Sequence, residues 1–121
     1  MDWKFHTDAP IYAQLMEQIK IAIVTGKYAA GDRLPSVRDM AAEAGVNPNT
    51  LQRAFAELER QGLVYSQRTL GRLVTEDAAI INDAKRQLAR RHIFAFREAM
   101  EALGFEKDEI IDLLRQEEGD I

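Results

Sequence analysis

The amino-acid sequence predicts a mainly α-helical chain with one small β-hairpin, organised as an N-terminal domain of residues 1–75 and a two-helix arm of residues 76–121. Three observations predict this fold class. Apolar residues recur every three or four positions in segments that Gly and Pro separate, as in amphipathic helices. Two short β-prone segments flank a turn. The chain then continues from Glu76 to Leu103 without Gly or Pro, which predicts one long helix.

The first predicted helix runs from Ile11 to Val24. Its apolar residues share one helical stripe, formed by Ile11, Leu15, Ile19 and Ala22 or Ile23. Thr7 to Pro10 supply candidate caps and a proline that the first turn of a helix tolerates, and Gly26 ends the helix.

The second predicted helix begins at Ser36, after an extended entry that Leu34-Pro35 favours. Asp39 lies three residues after Ser36, in an arrangement similar to a capping box. The helix continues through Ala44, and Gly45 ends it.

The third predicted helix begins at Asn47-Pro48, because Asn caps a helix and Pro is accepted at its first position. It runs to about Gln61. Its inner side carries Leu51, Ala54, Phe55 and Leu58. We also expect uncapped amides at the start of this helix to form a phosphate site.

The β-prone segments are residues 63–66 and 73–75, with the turn in residues 67–71. Two strands alone are marginally stable, so this hairpin is expected to lean on the helices before it. The arm begins with an amphipathic helix whose stripe is Ile81, Ala84, Leu88, His92, Ala95, Ala99 and Leu103. Gly104 ends that helix, and a last helix follows from Glu106 to about Gln116.

The second and third helices, joined by a turn at Gly45, match the plan of a helix-turn-helix, and the hairpin adds a wing. The third helix exposes Asn49, Gln52 and Arg53. Asn and Gln pair bidentately with adenine and Arg pairs with guanine, so these residue types suit a reader of the DNA major groove. Any antiparallel helical pair with a Gly turn imitates this pattern, so the pattern alone is weak.

The order and spacing of residues 10–75 resemble the N-terminal domain of the GntR-family transcriptional regulators. The segments that carry the resemblance, with x for positions that do not, are Pro10–Leu15 (PIYxQL), Gly26, Gly31–Ala41 (GDRLPSVRDMA), Val46–Ala54 (VNPNTLxRA) and Glu57–Leu63 (ELExxGL). A tail of two helices in about 45 residues is similar to the short YtrA-like subfamily. The resemblance implies a winged helix-turn-helix that binds DNA, regulates transcription and acts as a repressor.

The resemblance also implies a set of DNA-binding residues. They are Arg38 on the second helix, Asn47, Asn49, Thr50, Gln52 and Arg53 on the recognition helix, and Gly71 and Arg72 at the wing. The chain departs from many members at Pro48 and at Gln52, where Arg is common, so their guanine preference is not transferred. The wing sequence Thr69–Val74 also differs from the commoner Gly-x-Gly-Thr-Phe-Val.

The apolar stripe on the long helix of the arm predicts a homodimer, because the N-terminal domain is too small to cover this stripe. The expected interface residues are Leu88, Ala95, Phe96, Ala99, Leu103, Ile110 and Leu114. A small-molecule effector of unknown identity would fit best near Tyr65, Ile80, Ile81 and the aromatic residues between Phe94 and Phe105, although dimer packing is favoured for the aromatic residues.

Composition excludes several other classes of protein. The chain of 121 residues has no Cys and two His, which leaves no disulfide, thiolate metal site or multi-histidine site. No cofactor or metal is expected. The N-terminus has no signal-peptide pattern and no run is long enough to span a membrane, so we expect a cytoplasmic protein.

Residues 1–75 carry nine Lys or Arg and eight Asp or Glu, whereas residues 76–121 carry seven and twelve, so the negative charge lies in the arm. An ordinary solvated face is the plainer explanation of the small basic excess near the third helix. We favour DNA contact for Arg53, a solvated ion pair for Arg60, and packing roles for Trp3 and Tyr12.

An enzyme is the competing class, but Ser36 has no nearby His and sits at a helix cap, and no Gly-rich phosphate loop follows a strand. The remaining alternative is a helical module whose arm recruits another protein. Binding to promoter DNA distinguishes it from a regulator.

Overall fold

A computed structural model describes residues 1–120, with the side chains of residues 1–117. The described elements, in chain order, are α1 (Ile11–Val24), α2 (Val37–Ala44), α3 (Pro48–Arg60), β1 (Val64–Gln67), β2 (Gly71–Val74), α4 (Ala78–Ala102) and α5 (Lys107–Asp120). The strands β1 and β2 pair antiparallel from Val64 opposite Val74 to Gln67 opposite Gly71. The predicted fold class, mainly helical with one hairpin, is confirmed.

The predicted N-caps of α2 and α3 are confirmed, whereas α1 begins after Pro10 with no side-chain cap. Ser36 is the N-cap of α2, and its hydroxyl oxygen accepts a hydrogen bond of 3.1 Å from the Asp39 amide. Asn47 caps α3 and accepts a bond of 2.8 Å from the Asn49 amide. Gly45 ends α2 with φ of 71°, a left-handed conformation that glycine adopts at little cost. The turn between α2 and α3 is therefore three residues long, from Gly45 to Asn47.

The chain divides into two compact units, Met1–Lys85 and Arg86–Ile121, which we call the head unit and the tail unit. The core of the head unit is formed by α1, α2, α3 and the hairpin. Its largest fully buried side chains are Phe55, Leu15, Ile19, Met40, Leu51, Leu58, Leu63, Val64 and Val74. All four residues predicted for the inner side of α3 are buried, so the opposite side of α3 faces solvent.

Residues 31–34 pair with the free edge of β2, which the sequence did not predict. The Gly31 amide donates to the Val74 carbonyl at 3.0 Å, and the Val74 amide donates to the Asp32 carbonyl at 2.9 Å. The Leu34 amide donates to the Arg72 carbonyl at 2.9 Å. The hairpin is thus hydrogen-bonded to the segment that leads into α2 and does not depend on helix packing alone.

The first nine residues lie along α1 and α2. The Gln14 side chain accepts a bond from the His6 amide and donates to the His6 carbonyl, while Gln18 makes the same pair of bonds with Lys4. Trp3 stacks on Phe5, as expected for a packing residue. On α2, Glu43 accepts bonds from the N-terminal amine and from Trp3 Nε1. The N-terminal segment is therefore bound by side chains of α1 and α2 in place of a strand partner.

In the tail unit, the latter part of α4 and α5 are joined by a turn at Gly104, where the Phe105 amide donates to the Met100 carbonyl at 3.2 Å. Ile110 is buried, while Ile93, Phe94, Leu103 and Leu114 are exposed. None of the helices in residues 1–120 combines the length and hydropathy that crossing a membrane requires. Nor do the described side chains include three or more His, Asp or Glu grouped to hold a metal ion.

Candidate nucleic-acid interface

The outer side of α3 presents polar side chains to solvent. Asn49, Gln52 and Arg53 are exposed, whereas Thr50 is only partly exposed. Leu51 and Ala54, which are the sequence neighbours of Gln52 and Arg53, are fully buried, and this fixes which side of α3 faces outward. The structure therefore places these four predicted residues at the start of one helix, with three of them accessible to a ligand.

Arg53 is held by an aromatic ring of α1. Its guanidinium carbon lies 4.9 Å from the centroid of the Tyr12 ring, within the range of a cation–π contact. Tyr12 is partly buried, so the ring is a fixed support. The contact restrains Arg53 on the outer side of α3 without neutralising its charge.

Arg60, seven residues further along α3, differs from Arg53 because it has an acidic partner. Its guanidinium donates to both carboxylate oxygens of Glu57, which also accepts a bond from Gln61. The bonds from Arg60, and to a smaller extent the bond from Gln61, lower the pKa of Glu57 to about 2. The expected ion pair at Arg60 is confirmed.

Arg38 lies in the first turn of α2 and is exposed. Among the residues with described side chains, no carboxylate lies within ion-pair distance of Arg33, Arg38, Arg53 or Arg68, whereas Arg60 and Arg72 are paired. The four arginines lie on the segment before α2, on α2, on α3 and in the hairpin turn. Such unpaired cations are suited to anionic partners because no internal ion pair has to be broken first.

The amides at the start of α3 do not form the expected phosphate site. Pro48 has no amide hydrogen, the Asn49 amide donates to the Asn47 side chain, and the Thr50 amide donates to the Asn47 carbonyl at 3.1 Å. That expectation is wrong, because the Asn47 cap and its own carbonyl use the donors that a phosphate would need.

The wing turn lies between β1 and β2. Residues 68–70 are exposed, and the Leu70 amide donates to the Gln67 carbonyl at 3.2 Å. Gly71 follows with φ of 84°, which disfavours any side chain there. A Cβ atom at Gly71 would meet no atom closer than Arg33 Nε at 3.9 Å. The backbone at Gly71 is therefore open to close approach by a partner.

Arg72 is turned toward the recognition helix. Its Nε donates to Glu59 Oε1 at 2.7 Å, and its guanidinium carbon lies 5.0 Å from the centre of the Phe55 ring. The side chain is 20% exposed. The bond to Glu59 uses Nε, so the two terminal amino groups of Arg72 are left for other acceptors.

A surface cleft joins the wing to the start of α2. It is lined by Arg33, Leu34, Pro35, Ser36, Val37, Ser66, Gly71 and Arg72. Arg33 was absent from the predicted set, although it lies beside Gly71 and is exposed. The one available signal was the extended Leu34-Pro35 entry, and Arg33, just before it, is the residue that bridges to Leu73 of β2.

The predicted interface residues of the arm differ in exposure. Ala95, Ala99, Leu103 and Leu114 are exposed, Phe96 is partly buried, and Leu88 and Ile110 are buried within the chain. His92 is exposed on the same helix. The tail unit thus exposes part of the predicted set, next to the exposed side chains of Ile93 and Phe94.

The helices α2 and α3 form a helix-turn-helix, the outer side of α3 is exposed, and the hairpin adjoins it as a wing. These features define a DNA-binding regulator of the winged helix-turn-helix class. The profile of the family described as "Bacterial regulatory proteins, gntR family" matches residues 11–74. The HTH-type transcriptional regulator YhcF of Bacillus subtilis (strain 168) is 40% identical over 112 residues, covering 93% of each chain. The chain therefore belongs to the GntR family of bacterial regulatory proteins, and its relatives are named as regulators, not enzymes.

Other comparisons concern the subfamily and the fold. The HTH-type transcriptional repressor YtrA of B. subtilis (strain 168) is 40% identical over 72 residues, which span 60% of this chain and 55% of YtrA. A GntR family transcriptional regulator from Listeria monocytogenes has a TM-score of 0.85 at 40% identity, covering 93% of this chain and 98% of that one. The DNA-binding domain of AraR in complex with operator ORX1 has a TM-score of 0.57 at 29% identity, covering 62% and 96%. Relatives thus include YtrA-like regulators, in agreement with the sequence resemblance.

Proposed function

We propose that the protein is a repressor that binds a pseudo-palindromic operator as a homodimer, with one α3 helix in the major groove of each half-site. The observation that carries the proposal is the outer side of α3, where Asn49, Gln52 and Arg53 are exposed over a fully buried inner side. Half-sites in this arrangement lie one or two helical turns apart, at about 34 Å per turn.

The polar side chains have distinct roles in the proposal. Asn49 and Gln52 read adenine, Arg53 reads guanine, and Thr50 contacts a base or a phosphate. Arg38 and Asn47 bind phosphate from the two sides of the helix-turn-helix. At the wing, Gly71 allows the backbone to approach the minor groove and Arg72 offers its terminal amino groups.

The dimer is assigned to the arm, residues 76–121, which follows the DNA-binding domain of residues 1–75. Exposed Phe94, Leu103 and Leu114 support this assignment, because apolar side chains at such density mark a protein contact. Ala95 and Ala99 allow close approach of two helices. The side chains of Leu88, Phe96 and Ile110, which are buried or partly buried in each chain, would pack beneath the interface. A twofold pair uses the same surface on both copies.

The protein would act in the cytoplasm and would repress transcription by occupying a promoter. The first expected target is the promoter of its own gene. The name of YtrA as a repressor supports this direction of regulation. A small-molecule effector would act only through different affinities for two arrangements of the dimer.

The test selects binding sites from genomic DNA fragments and measures affinity for the recovered duplex by gel shift at two stated salt concentrations. We expect one enriched inverted repeat and a complex containing two chains. If a folded dimer enriches no site, the proposal fails and the arm-mediated recruitment of another protein becomes the better explanation.

Matched variants of α3 sharpen this test. Arg53→Ala should lower affinity at defined base pairs by about 1–3 kcal/mol, whereas Arg60→Ala, whose guanidinium is paired with Glu57, should leave binding unchanged. Arg38→Ala should weaken binding to all sequences. It should also reduce the slope of log affinity against log salt concentration by about the amount that one phosphate contact contributes. Equal losses from Arg53→Ala and Arg60→Ala would contradict the assigned face of α3.

A further inference from the structure

One carboxylate connects the recognition helix to the wing. Glu59, in the last turn of α3, accepts hydrogen bonds through Oε1 from Ser66 Oγ at 2.6 Å and from Arg72 Nε at 2.7 Å. Ser66 and Arg72 face each other across the hairpin, Ser66 on β1 and Arg72 on β2. The bonds from Ser66 and Arg72 lower the pKa of Glu59 and outweigh its partial burial. Glu59 therefore contacts both strands at one rung of the ladder.

The position of that rung matters because the hairpin is anchored unequally along its length. At its base, Val64 and Val74 pair and are fully buried in the core of the head unit. Ser66 and Arg72 form the last rung but one before the turn, and the rung at the turn, Gln67 with Gly71, is exposed. Residues 31–34 also bind the free edge of β2, as far as the Arg72 carbonyl, which accepts a bond of 2.9 Å from the Leu34 amide. The rung at the turn lies beyond these bonds, and two strands give little stability of their own, so the tip of the hairpin can still bend.

Arg72 extends the contact of Glu59 into the core. Its guanidinium lies over the Phe55 ring, which is fully buried on the inner side of α3. On its other side, Arg72 lines the cleft that includes Arg33 and Gly71. The tip of the wing is thus set against α3 by one charged hydrogen bond and one aromatic ring.

We infer that Glu59 is a positioning residue for DNA recognition: it fixes the tip of the wing relative to α3, so that the wing and the recognition helix reach DNA in a single arrangement. The inference rests on the proposed function, because it needs a wing that contacts DNA. The Glu59 carboxylate accepts bonds from Ser66 and Arg72, so its proposed role is to hold the wing and not to read a base. Its loss should weaken the contacts of the wing while leaving the contacts of α3 in place.

The test uses the full-length protein and the duplex recovered by the genomic selection. Glu59→Gln keeps the size of the side chain and removes its charge. The matched control is Glu57→Gln. Glu57 lies two residues earlier on α3, and its carboxylate pairs with Arg60 and does not bind the wing. Binding is measured by gel shift, and hydroxyl-radical footprints map which positions of the duplex are protected.

We expect Glu59→Gln to lower affinity about 10-fold, the scale of one charge-assisted hydrogen bond, while Glu57→Gln binds like the parent chain. The footprint should weaken at the minor-groove positions that flank each half-site and stay unchanged at the major-groove positions read by α3. A variant that merely unfolds more easily would lose protection at all positions equally.

A double variant separates action through Arg72 from other causes. If Glu59 acts by holding Arg72, then Glu59→Gln with Arg72→Met should bind no more weakly than Arg72→Met alone. Additive losses, uniform loss of protection, or equal behaviour of Glu59→Gln and Glu57→Gln would each overturn the inference. Failure of the selection to enrich any site would instead refute the proposed function, which keeps the two failures distinct.

Discussion

The head unit and the tail unit differ in how much of their apolar surface they bury. In the head unit, α1, α2, α3 and the hairpin enclose nine large side chains that are under 2% exposed. Among the described side chains of the tail unit, only Leu88 and Ile110 are buried apolar residues, while Ile93, Phe94, Leu103 and Leu114 are 56%, 63%, 73% and 49% exposed. The head unit has a core of its own, whereas the tail unit leaves apolar side chains for another surface.

This difference assigns distinct physical roles to side chains of the same type. Phe55 and Phe94 are both aromatic and both lie on helices, but the first stabilises a fold and the second would stabilise a complex. Burial of apolar area contributes about 25 cal/mol per Å² only when the area leaves water. Phe94 therefore contributes little to one isolated chain.

The largest expected effect is the contrast between Phe55→Ala and Phe94→Ala. Trp3, the single Trp of the chain, reports on unfolding of the head unit by fluorescence. Phe55→Ala should reduce the free energy of unfolding by about 3–5 kcal/mol, since it leaves a cavity in a fully packed core. Phe94→Ala should change it by less than about 0.5 kcal/mol at protein concentrations low enough for the chain to be monomeric, because the Phe94 ring is exposed in one chain. Equal losses in urea titrations at the same protein concentration would break the comparison.

Introducing a charge among the exposed apolar side chains of the tail unit tests whether those side chains form the dimer interface. Leu103→Asp should weaken the free energy of dimerisation by about 1.5–3 kcal/mol or more, which raises the dissociation constant at least about 10-fold. The reason is that the dimer would no longer bury a leucine at this position and would have to desolvate a carboxylate. Light scattering or analytical ultracentrifugation at micromolar concentration measures it. Asp112→Asn, which changes an exposed polar residue of α5, serves as the control. A dimer unaffected by Leu103→Asp would place the interface elsewhere.

Local chemistry made much of the head unit predictable. Ser36 and Asn47 are caps whose hydrogen bonds involve residues two or three positions away, and the apolar spacing of α3 alone identifies its buried side. Such features depend on short stretches of sequence. For that reason the bounds of α1 match the prediction, and those of α2 and α3 differ from it by one residue.

The parts that could not be predicted depend on distant residues. Arg33 bridges to Leu73, forty residues later, and Glu59 reaches Arg72 across thirteen. No spacing rule connects these pairs, because their proximity follows from how the hairpin folds back onto the core. The expected phosphate site at α3 was wrong for a different, local reason, since the side chain and the backbone carbonyl of Asn47 accept the amides of Asn49 and Thr50.

A third, smaller effect concerns the N-terminal segment, which gives the head unit polar stabilisation beyond its apolar core. Gln14 is 6% exposed and makes three bonds, two with the His6 backbone and one with the Ala9 carbonyl. Gln14→Ala should therefore cost about 1–2 kcal/mol of unfolding free energy, by the same fluorescence titration. Thr7→Ala, on an exposed neighbour, should cost less than about 0.5 kcal/mol. Similar values for both would show that the segment is not held by Gln14.

The smallest expected effect is an acid dependence within the head unit. Bonds from Arg60 and then Gln61 lower the pKa of Glu57 from 4.5 to about 2. A carboxyl whose pKa is lower in the folded chain stabilises the fold fully above its ordinary pKa, and this contribution is lost as pH falls through the folded value. Glu57→Gln should therefore melt at a slightly lower temperature than the parent chain at pH 7, and the difference should shrink between pH 4.5 and about pH 2. Thermal melts followed by Trp3 fluorescence across that range measure it. A difference that stayed constant down to pH 2 would mean that the Glu57 ion pair adds no charge-dependent stability to the head unit.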